Sequence, residues 1–126
     1  MALIHEELTN TILGAAVEVH RLLGPGLLES VYARCLVHEL ELRGIAVMVE
    51  APFDVEYKGV VLRSGYRVDL LVADAVVVEV KAVFEIHPIH RAQLLTYLRL
   101  SRTRVGLLLN FNVEMLMRDG MTRVVV

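Results

Sequence analysis

From Ile4 to Leu23 the apolar positions Leu8, Ile12, Ala15, Val19 and Leu22 recur three or four apart, while Glu6, Glu7, Asn10 and Glu18 occupy the rest of the wheel. That spacing predicts an amphipathic helix, ended by Gly24-Pro25-Gly26. A second helix is expected from about Leu28 to Arg43. Its first turn holds Glu29, its inner face Val31, Cys35 or Leu36, and Leu42, and it stops at Gly44, which tolerates a left-handed cap. After Gly44 the period drops to two. Ile45, Val47 and Val49 alternate, then Phe53, Val55 and Tyr57 after Pro52, with Lys58-Gly59 as a hairpin turn.

Val60 to Arg63, Tyr66 to Val72 and Ala75 to Ala82 read as three further strands, separated by turn chemistry at Ser64-Gly65 and Ala73-Asp74. Val76-Val77-Val78 has no polar side, which predicts the middle of a sheet covered on both faces. Pro88 suits the first turn of a third helix carrying Ile89, Ala92, Leu95, with Leu94 beside it, and Leu98 to about Arg99. Val105 to Leu109 is another buried run, and Met115 to Arg118, Asp119-Gly120 and Met121 to Val126 read as a closing hairpin. The order of elements predicts one domain, an α/β sandwich with a central mixed sheet flanked by helices.

Composition narrows the classes. At 126 residues with 56% hydrophobic positions, the chain can bury about two-thirds of its unfolded surface in one core, leaving roughly 6,700 Å² exposed. A single cysteine, Cys35, excludes an internal disulfide and any four-cysteine metal site, and fits a cytoplasmic protein. Asp74 and Glu79 interrupt the longest apolar run, and the start Met1 to Glu7 lacks the basic character of a signal peptide, so neither a membrane span nor secretion is expected. Lys and Arg number 13 against 15 for Asp and Glu, so a polyanion would need a local patch rather than bulk charge.

The anomaly lies inside the apolar strands, at Asp69, Glu79 and Lys81. Glu79 and Lys81 are two apart and share a face. If Ala73-Asp74-Ala75 is a three-residue loop, Asp69 lies opposite Glu79; a two-residue loop sets Asp69 opposite Val78 instead. Facing carboxylates repel, and partly buried ions cost several kcal/mol unless paired or bound to metal. A structural ion pair with Lys81 is one remedy. A hard divalent cation, Mg²⁺ or Mn²⁺, is the other, since both take carboxylate oxygens and leave positions open for a phosphate.

Five segments widen the pattern: Gly26-Leu27-Leu28-Glu29-Ser30-Val31-Tyr32, Tyr66-Arg67-Val68-Asp69, Glu79-Val80-Lys81, Gln93-Leu94-Leu95-Thr96-Tyr97 and Leu107-Leu108-Leu109-Asn110-Phe111. In this order the chain resembles the GxxExxY family of small bacterial and archaeal proteins, within the PD-(D/E)XK nuclease-like superfamily. The resemblance implies a restriction-endonuclease-like fold. It implies that Asp69 and Glu79 hold the metal, that Glu29 adds a ligand from its helix, and that Lys81 orients the attacking water or stabilises charge on the phosphate. Gln93 and Tyr97 are similar to the Q-x-x-x-Y element of RecB-like exonucleases and lie on one helix face by their spacing. Val68 stands where the superfamily's name has proline, and no histidine lies within Gly26–Glu29, unlike many RecB-like enzymes.

The function expected is metal-dependent hydrolysis of a nucleic-acid phosphodiester, DNA before RNA. The alternative is a non-catalytic accessory domain that keeps the fold and binds nucleic acid or protein, for which the apolar excess and the Val124-Val125-Val126 end allow a homodimer. Other residues carry blander expectations. His87, His90 and Arg91 read as a solvated helix start, with phosphate contact as the alternative; His5, His20 and His38 read as structural. Cys35 reads as a small core residue, Tyr32 as a packed ring with a bonded hydroxyl, and Asn110 and Phe111 as a turn residue and a core ring. Arg99, Arg102 and Arg104 read as a solvated loop before a DNA-facing patch.

Overall fold

The computed structural model describes residues 4–126. Met1 to Leu3, part of the start read above for a signal peptide, lie outside the described residues. Helices α1 (Glu6–Leu23) and α2 (Glu29–Leu42) precede strands β1 (Val47–Tyr57), β2 (Val60–Val72) and β3 (Val76–Lys81); α3 (Pro88–Ser101), β4 (Val105–Asn110) and β5 (Met121–Val125) follow. The five strands form one mixed sheet in sequence order, with only β3 and β4 parallel. The apolar strand β3 is therefore central, as its lack of a polar side requires. One face packs Leu70, Val78 and Leu107 against Ile12, Val19 and Leu36 of α1 and α2. The other packs Val77, Leu108 and Val124 against Leu94 and Leu98 of α3. This is the restriction-endonuclease-like α/β sandwich expected above.

Several expectations need correction. The inner face of α3 is Leu94 and Leu98, while Leu95 is half-buried and Ile89 and Ala92 are exposed, because Leu94 is the position that reaches the sheet between Val77 and Leu108. The inner face of α2 is Tyr32, Leu36 and Leu40, while Val31 and Cys35 are only half-buried and Leu42 is exposed. Tyr32 wins the core position because its ring stacks on Phe111 at 4.7 Å, and its hydroxyl finds partners in the preceding loop. Ser64-Gly65 is not a turn but a bulge within one continuous β2, where the register shifts opposite Asp54. The Asp54 carboxylate accepts from the Ser64 N–H and the Arg63 guanidinium, each at 2.9 Å. A Cβ at Gly65 would come within 2.6 Å of Val55, so only glycine fits there. Finally, Met115 to Arg118 is not a strand. Leu116–Gly120 forms a short π-helical turn that buries Leu116, and β5 pairs with β4 instead.

Candidate metal and nucleic-acid site

Lys58 and Gly59 both take positive φ, giving β1 and β2 a tight turn, and the Ala73 to Ala75 connection sets the next register. Val72 faces Val76 and Leu70 faces Val78, so the three-residue loop is the one formed. One step further along that register Asp69 meets Glu79. There regular pairing stops and side chains take over: the Asp69 N–H donates to Glu79 Oε1 at 3.3 Å, and the Val80 N–H donates to Asp69 Oδ2 at 2.8 Å. The carboxyls themselves lie close enough to share a hydrogen bond. Glu79 is only 4% exposed, and burial, followed by the neighbouring Asp69 charge, pushes its pKa up to about 8; Lys81 draws it partly back. Two acids thus meet at a site that holds a proton where a cation would otherwise balance them.

The same row extends to β1. Val49 pairs with Leu70 and Ala51 with Val68, and the step between them, Glu50 opposite Asp69, is skipped because Glu50 is left-handed at φ 49°. The strand changes face here, since Val47 packs with the α1–α2 core while Ala51 packs with the α3 core. Glu29, Ser30, Arg34, Glu50 and Asp69 line one cavity of 310 Å³. Sequence reasoning missed Glu50; the signal available was an acid at an otherwise apolar alternation just before Pro52.

Glu29 arrives from α2. The Tyr32 hydroxyl donates to the Gly24 carbonyl at 2.5 Å and accepts from the Leu27 N–H at 3.1 Å, tying the inter-helix loop to the helix that bears Glu29. Glu29 Oε1 accepts from the Ala82 N–H at 3.3 Å, just beyond β3. Among the described residues, no three His, Cys, Asp or Glu side chains are grouped to hold a metal ion. Asp69 and Glu79 are the acids in contact, and Glu29 stands at the strand end with its own partner. The pair still suits a hard cation: one oxygen of each carboxylate takes a backbone N–H, an ion would take the place of the proton between the two acids, and Mg²⁺ commonly binds through one or two carboxylates plus waters.

Alternation along β3 sends Glu79 and Lys81 toward α3, since Val78 and Val80 pack on the opposite side. Tyr97 lies there, its hydroxyl held protonated to higher pH by burial and then by the charges of Glu79 and Asp69. It also stacks on Tyr66 at 4.6 Å, and Tyr66 on Phe53 at 5.4 Å, so the root of the β1–β2 arm is fixed to α3. Gln93, one turn earlier, is exposed.

The strand exit is held by Asn110, a residue read above as an ordinary turn. Its buried side chain accepts from the Val83 and Asn112 N–H groups and donates to the Val83 carbonyl, while the Phe111 N–H donates to the Lys81 carbonyl at 2.9 Å. His87 and His90 cap α3 reciprocally, accepting from Ile89 and His87 N–H groups. His20 is buried against the Val113 carbonyl at 2.8 Å. Arg99, Arg102 and Arg104 lie at the opposite end of α3, with Arg104 bonded to the Val126 carbonyl.

No curated protein and no solved structure matches this chain. A family model does, described as the PD-(D/E)XK nuclease superfamily and covering residues 6–124. The match takes in α2, the Asp69 strand, the Glu79-Val80-Lys81 strand and α3 together. The chain belongs to the PD-(D/E)XK nuclease superfamily.

Proposed function

We propose that this protein is a Mg²⁺- or Mn²⁺-dependent phosphodiesterase of nuclease type, of the GxxExxY branch, acting on DNA in the cytoplasm. The contact between Asp69 and Glu79, with Lys81 beside them, carries the assignment. Asp69 and Glu79 supply carboxylate oxygens for the ion, and Glu29 a further acid at the end of β3. The ion, when bound, supplies Lewis acidity and a lowered water pKa. Lys81 adds a fixed positive charge where negative charge grows on the phosphate. Tyr97, beside Glu79 and Asp69, orients the nucleotide, with Gln93 one turn before it on α3 as its helper.

Incubation with single- and double-stranded DNA in Mg²⁺ or Mn²⁺ tests this. Wild type cleaves, and Lys81→Ala is slower by about 10²-fold or more, the usual loss for a charge-stabilising group. Equal cleavage by both proteins, or by neither, contradicts the assignment.

A homodimer is favoured by one observation. Leu22 and Leu42 are exposed beside a 510 Å³ groove between α1 and α2, with Leu28 exposed at the start of α2. Sedimentation of a dimer that Leu42→Glu converts to monomer supports it, and a wild-type monomer at high concentration contradicts it. The accessory-domain alternative survives only if binding occurs without cleavage.

A further inference from the structure

Resting on the nuclease assignment, we propose that Phe84 is a stacking platform for an unpaired base, making single-stranded nucleic acid the substrate of this site. Phe84 is 94% exposed, the most exposed large hydrophobic side chain among the described residues, and it follows Lys81 by three positions. Its exposure is not that of a slack loop. Lys81 is tied to Phe111, Ala82 to Glu29, and Val83 through both its N–H and carbonyl to the buried Asn110, so the backbone is pinned up to the residue before it. Beyond it, Ile86 packs into the α3 core and His87 caps the helix. A ring projecting from a segment anchored on both sides is presented at little further entropic cost.

The surroundings select the partner. Its chain neighbours Glu85 and His87 are exposed, as is Arg91 in the first turn of α3, and Ile89 is the nearest exposed large apolar side chain along the chain, so the local sequence setting of Phe84 is polar. An apolar protein partner would need a broader patch. A nucleobase needs only a planar face and a positive charge for its phosphate, for which Lys81, three residues before the ring, and Arg91, in the first turn of α3, are the cations nearest along the chain. In a duplex the bases already stack on each other, so the ring discriminates in favour of an unpaired one.

The chain has no tryptophan, so Phe84→Trp creates a single reporter at the proposed contact. It is titrated without divalent metal, so that nothing is cleaved, with oligothymidine, oligouridine and an oligothymidine–oligoadenine duplex. Saturable quenching by a single strand, and little by the duplex, is expected; the oligothymidine and oligouridine arms separate DNA from RNA. Phe84→Ala, an exposed change that spares the core, weakens single-strand binding about tenfold or more, and Phe84→Leu does not restore it. Equal quenching by duplex and single strand, no quenching at all, or unchanged binding by Phe84→Ala overturns the proposal. Cleavage by wild type alongside a silent Phe84→Trp reporter would refute stacking and leave the nuclease assignment standing; quenching without cleavage would do the reverse.

Discussion

At the residue scale the unusual feature is an acid whose charged form is disfavoured by burial and then by a neighbouring acid. Glu79 has a folded pKa of about 8 against an ordinary value of 4.5, so its protonated form is the one folding prefers. The stability it contributes is complete below about pH 4.5 and is lost as pH rises through about 8, because over that window the unfolded chain binds fewer protons than the folded one. Glu79→Gln removes that cost. Without divalent metal at pH 8, its thermal midpoint should rise by a few degrees, corresponding to about 1–2 kcal/mol, while cleavage disappears. Thermal melts at pH 5 and pH 8 check the prediction, and a variant less stable than wild type at pH 8 contradicts it. The Asp69–Glu79 pair was legible in sequence because charges interrupt valine-rich strands. The role of Asn110 was not, and Glu50 left only an acid among apolar positions as its signal: an Asn at a strand end and an acid on an edge strand acquire a role only when the tertiary fold supplies Val83 to one and the skipped ladder step to the other.

At the element scale, the motif from Gly26 through Glu29 to Tyr32 works as a bracket. Gly26 sits at φ 105°, the buried Tyr32 ring stacks on Phe111, and its hydroxyl holds the loop from which α2 emerges. Tyr32→Phe keeps the ring and loses both hydroxyl bonds, so stability should fall by about 1–3 kcal/mol. Metal-dependent cleavage should fall as well, since Glu29 is less firmly placed. Denaturant unfolding beside activity measures this; an unchanged midpoint would show that the loop does not depend on the hydroxyl. The helices and central strands followed from periodicity. The errors came where one chemistry serves two structures: Ser64-Gly65 suits a bulge as well as a turn, and Asp119-Gly120 closes a π-helical turn because β5 finds its partner across the sheet. Local sequence does not reveal which strand lies alongside.

At the scale of the molecule, the accessible surface is 7591 Å², above the roughly 6,700 Å² of a compact chain this size. The β1–β2 arm extends beyond β3, with Tyr57, Val60, Val61 and Leu62 exposed near its tip, and helps account for the excess. No helix among the described residues is long and apolar enough to cross a membrane. With a net charge of −2 and the three arginines of the α3–β4 connection at the far end of the helix, only a few cationic groups can meet a nucleic-acid backbone near the acids. Single-strand binding should therefore weaken only gently with salt, log K falling with log[salt] at a slope of about −2; a slope beyond about −5 would reveal a larger basic surface. The most direct measurement is calorimetric titration with Mn²⁺ near pH 7 in buffers of different ionisation heat. If Asp69 and Glu79 share a proton that the ion displaces, wild type binds Mn²⁺ and releases a fraction of a proton or more, and Glu79→Gln binds far more weakly with no release. Absence of binding, or binding with no proton release that both proteins share equally, contradicts the account.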